Sequence, residues 1–148
     1  MSIPPLDPTT GYLPPGDHPA TLDEIRERFG IGMRRRELMD ALQDVVRQLE
    51  SYGVTVVLVD GSFVSDKRRP SDVDVLYAPP AGGDPTTWGL LAPSRRDDLK
   101  RYRRIDLWPA PSPQPSRRSF GGSISLKEMW EYDRDGVHKG LLLIRRTP

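Results

Sequence analysis

The chain contains no cysteine and only two histidines, His18 and His138. Without cysteine, disulfide bonds, thiolate zinc sites and cysteine nucleophiles are excluded. Two histidines are too few for a multi-histidine metal centre, and we expect both to be surface or packing residues. The sequence therefore excludes enzymes and metalloproteins that depend on thiolates or on clustered imidazoles.

The sequence also lacks a strong net charge and a long apolar segment. Its 22 basic and 21 acidic residues leave a formal charge of +1, so no overall field indicates nucleic acid or an anionic membrane as partner. No stretch approaches the roughly 20 apolar residues that cross a bilayer, and the N-terminus has neither the basic nor the apolar region of a signal peptide. We therefore expect a soluble, cytoplasmic protein.

What is present fits one domain with an N-terminal extension. The 148 residues are typical of a single domain with one modest core. Residues 1–19 contain six prolines and two glycines without a period, which indicates an extended arm. This arm either wraps the domain, with Tyr12 and Leu13 as anchors, or stays disordered. The domain itself is assigned to residues 20–148.

Capping signals and apolar periodicity predict two helices in the first half of the chain. Thr21 and Glu24 form a capping-box pair at the start of a short helix that ends at Gly30. A longer amphipathic helix is predicted from Arg35 to the stop at Gly53. Its apolar stripe consists of Leu38, Leu42, Val45, Val46 and Leu49.

Runs of β-branched and apolar residues predict four strands. Val54–Val59 is almost continuously apolar, which is typical of a central strand buried on both faces. The other three are predicted at Val73–Tyr77, Arg104–Trp108 and Leu141–Ile144, the last of them after a turn at Asp135-Gly136.

The second half is predicted to contain little helix and two long loops. A helical turn is expected over Asp97–Arg101, and Ser125 is expected to cap a short helix over Leu126–Tyr132. Proline and glycine predict loops over residues 78–95 and 109–123. Loops of that length in a small domain are uncommon, so we expect them to be functional or to cover the core.

Two aspartates begin the second predicted strand. Asp72 and Asp74 are separated by one residue, and strand side chains alternate between faces, so both carboxylates point to one side. Aligned carboxylates repel each other and are most simply neutralised by a hard divalent cation such as Mg²⁺ or Mn²⁺. The alternative is an exposed strand face with two solvated carboxylates. The pattern favours the metal site.

A third carboxylate and a Gly-Ser turn extend this constellation. Asp106 lies in the next predicted strand, and three aspartates on adjacent strands suit a two-metal site that orients a triphosphate and activates an attacking hydroxyl. Its alternative is an ion pair with Arg103 or Arg104. Gly61 and Ser62 follow the central strand, where glycine permits close approach of a phosphate and serine donates to its oxygens.

The pattern Gly61-Ser62, nine residues, then Asp72-Val73-Asp74-Val75, with Asp106 in a later strand, resembles the signature of the polymerase-beta-like nucleotidyltransferase superfamily, particularly its minimal bacterial and archaeal members. A bacterial group of uncharacterised nucleotidyltransferase-like proteins is also similar, through the arm GYLPPGDHPATLDEIRERF and the closing Lys139-Gly140-Leu141. One departure is that Phe63–Ser71 is short and basic, where many members have a well-formed helix.

The resemblance implies an α+β nucleotidyltransferase fold, with a mixed sheet of about four to five strands backed by helices. It implies that Gly61 and Ser62 hold the nucleotide phosphates and that Asp72 and Asp74 bind metal. It further implies that Asp106 binds metal and assists deprotonation of the acceptor.

Basic and aromatic side chains give weaker signals. Arg68 and Arg69 suit bidentate recognition of a triphosphate, although they could equally be solvated loop residues. Lys139 could reach a phosphate, but the pattern favours an ordinary turn lysine. Arg34–Arg36 is expected to be a solvated helix face. The tryptophans are expected to be core or loop-covering residues rather than base-stacking ones; they are Trp88, Trp108 and Trp130.

Two functions from different classes follow from this sequence. The first is Mg²⁺-dependent transfer of a nucleoside monophosphate, with ATP as the expected donor, to an acceptor hydroxyl. Small relatives include antitoxins that adenylylate a toxin, so a protein acceptor in a toxin–antitoxin or defence system is expected by family analogy. The second is a non-catalytic module that keeps the fold and acts by docking on a partner. Three converging carboxylates favour the enzyme.

Overall fold

The computed structural model describes residues 3–79, 92–109, 113–115, 123–125 and 130–145. In these ranges the helices are α1 (Leu22–Phe29), α2 (Met33–Ser51) and α3 (Pro93–Asp98), which continues as a π-helical turn over Leu99–Arg103. The strands are β1 (Asp17–Thr21), β2 (Val57–Asp60), β3 (Val73–Tyr77), β4 (Ile105–Pro109), β5 (Pro113–Pro115), β6 (Ser123–Ser125) and β7 (Leu141–Arg145).

Five of the strands form one mixed sheet in the order β1-β7-β2-β3-β4. The neighbours of β2, namely β3 and β7, run antiparallel to it, whereas β1–β7 and β3–β4 are parallel pairs. Strands β5 and β6 pair separately as an antiparallel ribbon. The α+β class and the mixed sheet of about five strands are therefore confirmed, as is the central position of the strand before Gly61.

The main core lies between one face of this sheet and helices α1 and α2. Alternating residues of the strands, such as Val59, Val75 and Leu107, form one buried cluster with Ile25 of α1 and Leu42 of α2. The opposite face carries a smaller apolar cluster, built on Leu58, Leu76 and Leu141, with Trp108, Trp130 and Leu143 against it. Because side chains alternate along each strand, the sheet has one face covered by α1 and α2 and a second face that carries a different set of side chains.

The predicted capping box of α1 is confirmed. Thr21 Oγ1 accepts from the Glu24 amide at 3.1 Å, and Glu24 Oε1 accepts from the Thr21 amide at 3.0 Å. The helix ends before Gly30, as predicted. Helix α2 begins two residues earlier than expected, and its predicted apolar stripe is buried.

The N-terminal arm is not a separate extension. Leu13 is buried, as expected for a wrapping arm, and Ile3 also joins the core. Residues Asp17–Thr21 pair in parallel with β7, so part of the predicted arm is an edge strand of the main sheet. Histidine and proline in this segment gave no strand signal, and its pairing comes from tertiary context.

Several other boundaries differ from expectation. The central strand begins at Val57 rather than Val54, because Thr55 and Val56 are exposed. The predicted loop 78–95 is wrong at its end, where Pro93 starts α3. The predicted loop 109–123 is also wrong in part, because it contains β5 and the first residue of β6.

Residues 126–129 of the helix predicted over Leu126–Tyr132 lie outside the described ranges. Trp88 lies outside them as well. The expected cap of the predicted helix, Ser125, is instead the last residue of β6. The expected last residue of that helix, Tyr132, forms an isolated antiparallel bridge with His138. The turn at Asp135-Gly136 is confirmed, with the Gly136 amide donating to Asp133 O at 3.1 Å.

In the part of the chain that the structure describes, no helix combines the length and the apolar character needed to cross a membrane.

Candidate functional site

Four aspartates come together at one end of the second sheet face. In the β2–β3 register Asp60 is opposite Asp74, and in the β3–β4 register Asp74 is opposite Asp106. Directly paired residues share a face, so these side chains form a row across three adjacent strands. Asp72 precedes Asp74 by two positions and interacts electrostatically with both Asp74 and Asp106. We call Asp60, Asp72, Asp74 and Asp106 the acidic row.

Crowding of negative charge is strongest at Asp74, the middle member of the row. Burial raises its pKa to about 7, and the charges of Asp72, Asp60 and Asp106 add to that shift. Burial, followed by the charge of Asp106, also raises the pKa of Asp72. The site therefore holds negative charge that the protein itself only partly compensates.

Asp60 is the most deeply buried member of the row, with 2% of its surface exposed. Its Oδ1 lies 3.1 Å from Lys139 Nζ, and both side chains are largely buried. That oxygen has no partner with hydrogen-bond geometry, so the contact is an ion pair rather than an aligned hydrogen bond. Burial raises the pKa of Asp60, while the Lys139 charge and the Gly61 amide act in the opposite direction.

Asp106 sits at the outer end of the row with its own partners. Trp108 Nε1 donates to its Oδ1 at 2.7 Å, and Lys100 Nζ lies 3.5 Å from its Oδ2. Trp108 is itself fixed by Arg96, whose guanidinium lies 4.5 Å from the ring centroid. The alternative pairing of Asp106 with Arg103 or Arg104 is not found among the described residues. Arg103 instead pairs with Asp44 at 3.0 Å, and the positive charge near Asp106 is that of Lys100.

The Gly-Ser turn lies directly against the row. Gly61 has φ 92° and ψ −176°, a conformation that is almost exclusive to glycine. A Cβ at this position would lie 2.7 Å from Asp74 Oδ2. Ser62–Val64 then form a single 3₁₀ turn, which agrees with the short connection expected from the sequence. Glycine is therefore required both by the backbone and by the neighbouring carboxylate.

Arg35 holds the segment that follows the turn, a role that the sequence did not indicate. Its guanidinium donates to Phe63 O at 2.6 Å, to Ser65 O at 2.9 Å and to Lys67 O. It also donates to Phe29 O at 3.2 Å. The expectation that Arg34–Arg36 is a solvated face is therefore wrong for Arg35. A lone arginine in a basic run carries no sequence signal for carbonyl binding.

The basic residues and the histidines considered in the sequence analysis lie at several different places in the fold. Arg68 and Arg69 lie exposed in the loop before β3. Lys139 is at the acidic row, where it contacts Asp60. His18 Nε2 donates to Pro14 O, and His138 stacks on Tyr132 with ring centroids 4.6 Å apart, so both histidines are packing residues as expected.

The oxygen donors of the acidic row suit a hard divalent cation, since carboxylates are the ligands that Mg²⁺ and Mn²⁺ prefer. A cation among them would offset the burial and the carboxylate repulsion that together raise the pKa of Asp74. Within the described ranges, however, no three carboxylate or histidine side chains already converge as a metal site. Asp60 and Asp106 are engaged by lysines, so binding of a metal to Asp106 requires competition with Lys100.

Sequence reasoning missed Asp60 as a member of the row. The signal was present, because Asp60 ends an apolar strand and directly precedes Gly61. A carboxylate that continues a buried run is either paired or functional, and here it is paired.

Comparison with known proteins identifies a family. Residues 4–145 match the model of a family described as a family of unknown function, DUF6932. No curated protein and no solved structure matches the chain. Because the family match spans nearly all of the sequence, the protein belongs to DUF6932.

Proposed function

We propose that this protein is a Mg²⁺-dependent nucleotidyltransferase with a nucleotidyltransferase fold. It transfers a nucleoside monophosphate, AMP from ATP by our expectation, to an acceptor hydroxyl. The observation that carries this proposal is the strand register that aligns Asp60, Asp74 and Asp106, with Asp72 two residues before Asp74. A sheet that serves only as a scaffold has no need for four carboxylates on one face.

The proposed roles follow from position. Asp72 and Asp74 would hold the metal, and Asp106, opposite Asp74 in the β3–β4 register, would be the third ligand. A divalent ion held there would neutralise phosphate charge and lower the pKa of a coordinated hydroxyl. We assign the triphosphate to Gly61 and Ser62 because Gly61 lies beside Asp74, where even a Cβ would come within 2.7 Å of Asp74 Oδ2. Arg35 fixes the shape of this turn through the backbone carbonyls that follow it.

The reaction is an in-line displacement at the α-phosphorus. The acceptor oxygen forms a bond to phosphorus, and the bond between the α-phosphorus and the bridging oxygen breaks, so pyrophosphate leaves with the electron pair. The acceptor hydroxyl loses its proton to Asp106. Positioning and charge neutralisation supply most of the rate enhancement in such reactions.

The acceptor is proposed to be a macromolecule, with a partner protein of a toxin–antitoxin or defence system as the leading case. The described residues form one main sheet with its helices, without a second domain that would form a pocket for a small acceptor. The partner would then supply the remainder of the acceptor site.

Following the labelled phosphate of ATP gives the sharpest test of this activity. The protein is incubated with Mg²⁺, a cell extract as acceptor source, and ATP labelled at either the α- or the γ-phosphate. Nucleotidyl transfer places only the α-label on macromolecules, and Asp74→Asn should abolish it. Asp97→Asn is the matched control, because Asp97 is an exposed residue of α3. Labelling is taken as the excess over the same extract without added protein, because kinases and polymerases of the extract also use ATP. Excess γ-labelling, or excess α-labelling that survives Asp74→Asn, would contradict the proposal.

A docking function is the second candidate, and exposed apolar residues favour it. Ile31 and Met33, at the turn between α1 and α2, are each 73% exposed, and Tyr102 is 71% exposed. Tyr102 also lines a groove of about 450 Å³ with Arg34 and Arg104. A purely docking module would show no rise in melting temperature with Mg²⁺ and an ATP analogue, whereas the enzyme would.

A further inference from the structure

Two cations border the Asp106 end of the acidic row. Lys100 Nζ lies 3.5 Å from Asp106 Oδ2, and the lysine side chain is 58% exposed. Arg104 is also exposed, and its carbonyl accepts from the Val73 amide at 2.9 Å, which places Arg104 beside Asp72. Both positive charges interact electrostatically with the Asp72 carboxylate. A dissolved ligand can therefore reach positive charge at this end of the row.

The lysine at the Asp60 end of the row is held differently. Lys139 Nζ lies 3.1 Å from Asp60 Oδ1, and its side chain is only 14% exposed. Separating a buried pair of this kind leaves an uncompensated buried charge, which is strongly unfavourable. Lys139 therefore pairs within the protein, whereas Lys100 can contact a ligand.

The proposed reaction assigns the two ends of the row to different substrates. In an in-line displacement the attacking oxygen and the leaving pyrophosphate lie on opposite sides of the α-phosphorus. The acceptor hydroxyl would lie at Asp106, which takes its proton, and the polyphosphate at the turn of Gly61 and Ser62. Lys100 and Arg104 therefore border the acceptor rather than the leaving group.

Acidic residues limit how far this positive charge extends over the surface. The groove that Arg104 lines is also lined by Glu37 and Asp40. Arg103 is paired with Asp44 of α2 at 3.0 Å. The repeated negative charge of a nucleic acid backbone would meet these carboxylates, whereas one or two carboxylates of a peptide would meet only the cations at the row. The local charge therefore favours an acidic peptide over a nucleic acid.

We propose that the acceptor is an acidic peptide segment, in which an aspartate or glutamate near the modified hydroxyl residue pairs with Lys100 and Arg104. This inference rests on the proposed function and names the chemical class of its acceptor. Lys100 can exchange Asp106 for the acceptor carboxylate, because its present contact is longer than a usual hydrogen bond. Asp106 then keeps Trp108 Nε1 as a donor at 2.7 Å, and its Oδ2 is free for the acceptor hydroxyl.

Mapping the modified sites tests this inference. The macromolecules of the extract that carry the α-label are treated with nuclease or protease, and the labelled peptides are identified by mass spectrometry. The label should resist nuclease and should lie on serine, threonine or tyrosine. The segments around these residues should be richer in aspartate and glutamate than the segments around the unmodified hydroxyl residues of the same proteins.

The matched variants Lys100→Gln and Arg101→Gln separate the acceptor from the nucleotide. Each removes one positive charge from the same turn, but the Arg101 guanidinium lies 5.9 Å from the Tyr102 ring centroid instead of at the row. Lys100→Gln removes one charge-assisted contact with the acceptor, so it should reduce α-labelling about tenfold. Its affinity for a non-hydrolysable ATP analogue with Mg²⁺ should stay within about threefold of wild type. Arg101→Gln should leave both quantities unchanged.

Each contrary outcome has a distinct meaning. Neutral or basic segments around the mapped sites, or label on nucleic acid, would overturn the inference. Unchanged labelling by Lys100→Gln would also overturn it, as would equal losses of labelling and of nucleotide affinity in that variant. Absence of any excess α-label would contradict the proposed function, and the inference with it.

Discussion

The two faces of the sheet carry very different side chains, although the same strands supply both. On the helix-covered face, Val75 of β3 and Leu107 of β4 are fully buried in the main core. On the other face, their neighbours Asp74 and Asp106 form part of the acidic row. Because alternation places successive residues on opposite sides, one strand contributes both to the main core and to the acidic row.

The largest expected effect concerns the buried ion pair of the acidic face. Lys139→Met leaves Asp60 buried without its counter-ion, and we expect a loss of about 4 kcal/mol in the free energy of unfolding. The double variant Asp60→Asn/Lys139→Met should recover to within about 1 kcal/mol of wild type, because no charge is then left unpaired. Urea denaturation measures both. Equal losses in the single and double variants would show that Lys139 acts through packing rather than charge.

Two adjacent residues of β4 are expected to differ next most in their effect on the free energy of unfolding. Leu107→Ala creates a cavity in the main core and should cost about 3 kcal/mol, because Leu107 is 2% exposed. Asp106→Asn, on the other face, should change stability by less than about 1 kcal/mol while removing a proposed metal ligand. Thermal unfolding compares the two variants directly. A large loss for Asp106→Asn would mean that the acidic face is also structural.

The pH dependence of stability sharpens the comparison further. The pKa of Asp74 is raised from 3.8 to about 7, so its contribution to stability is complete below about pH 4 and falls as pH rises to about 7. At about pH 8, without metal, Asp74→Asn should therefore be more stable than wild type by on the order of 2 kcal/mol. Mg²⁺ should remove most of this difference by stabilising the wild type. A difference that is independent of pH would contradict the charge-crowding explanation.

The turn beside the acidic row is expected to give a smaller loss of stability than the core or the buried ion pair. Gly61→Ala places a Cβ in a glycine-only conformation and against the Asp74 carboxylate, at a cost of about 1–2 kcal/mol. The same change at Gly136, which also has positive φ but open space where a Cβ would lie, is the control for backbone strain alone. Only Gly61→Ala should also lose Mg²⁺-dependent nucleotide binding. If the two variants bind nucleotide equally well, the turn at Gly61 would not be part of the nucleotide site.

Much of the fold could be predicted because its signals are local. The capping box at Thr21 and the alternation in Val73–Tyr77 each depend on neighbouring residues, and both are found as predicted. Strand β1 could not be predicted in this way. Its sequence, DHPAT, has weak strand propensity, and only pairing with β7, more than a hundred residues later, makes it a strand.

The candidate site could be predicted where its geometry follows from local sequence, and it could not be predicted where it depends on long-range contacts. The spacing of Asp72 and Asp74 follows from strand periodicity, and the position of Asp106 required only that β3 and β4 be neighbours. The partners of these carboxylates depend on long-range contacts. The ion pair of Asp60 with Lys139 and the hydrogen bonds of Arg35 to the carbonyls after the turn join segments that no local pattern connects.

Calorimetric titration with a non-hydrolysable ATP analogue, with and without Mg²⁺, tests most directly whether the acidic face is a metal and nucleotide site. We predict binding that requires Mg²⁺, is lost in the double variant Asp72→Asn/Asp74→Asn, and is kept in the surface control Asp97→Asn. Absence of binding to the folded wild-type protein, or binding that persists in Asp72→Asn/Asp74→Asn, would contradict the account.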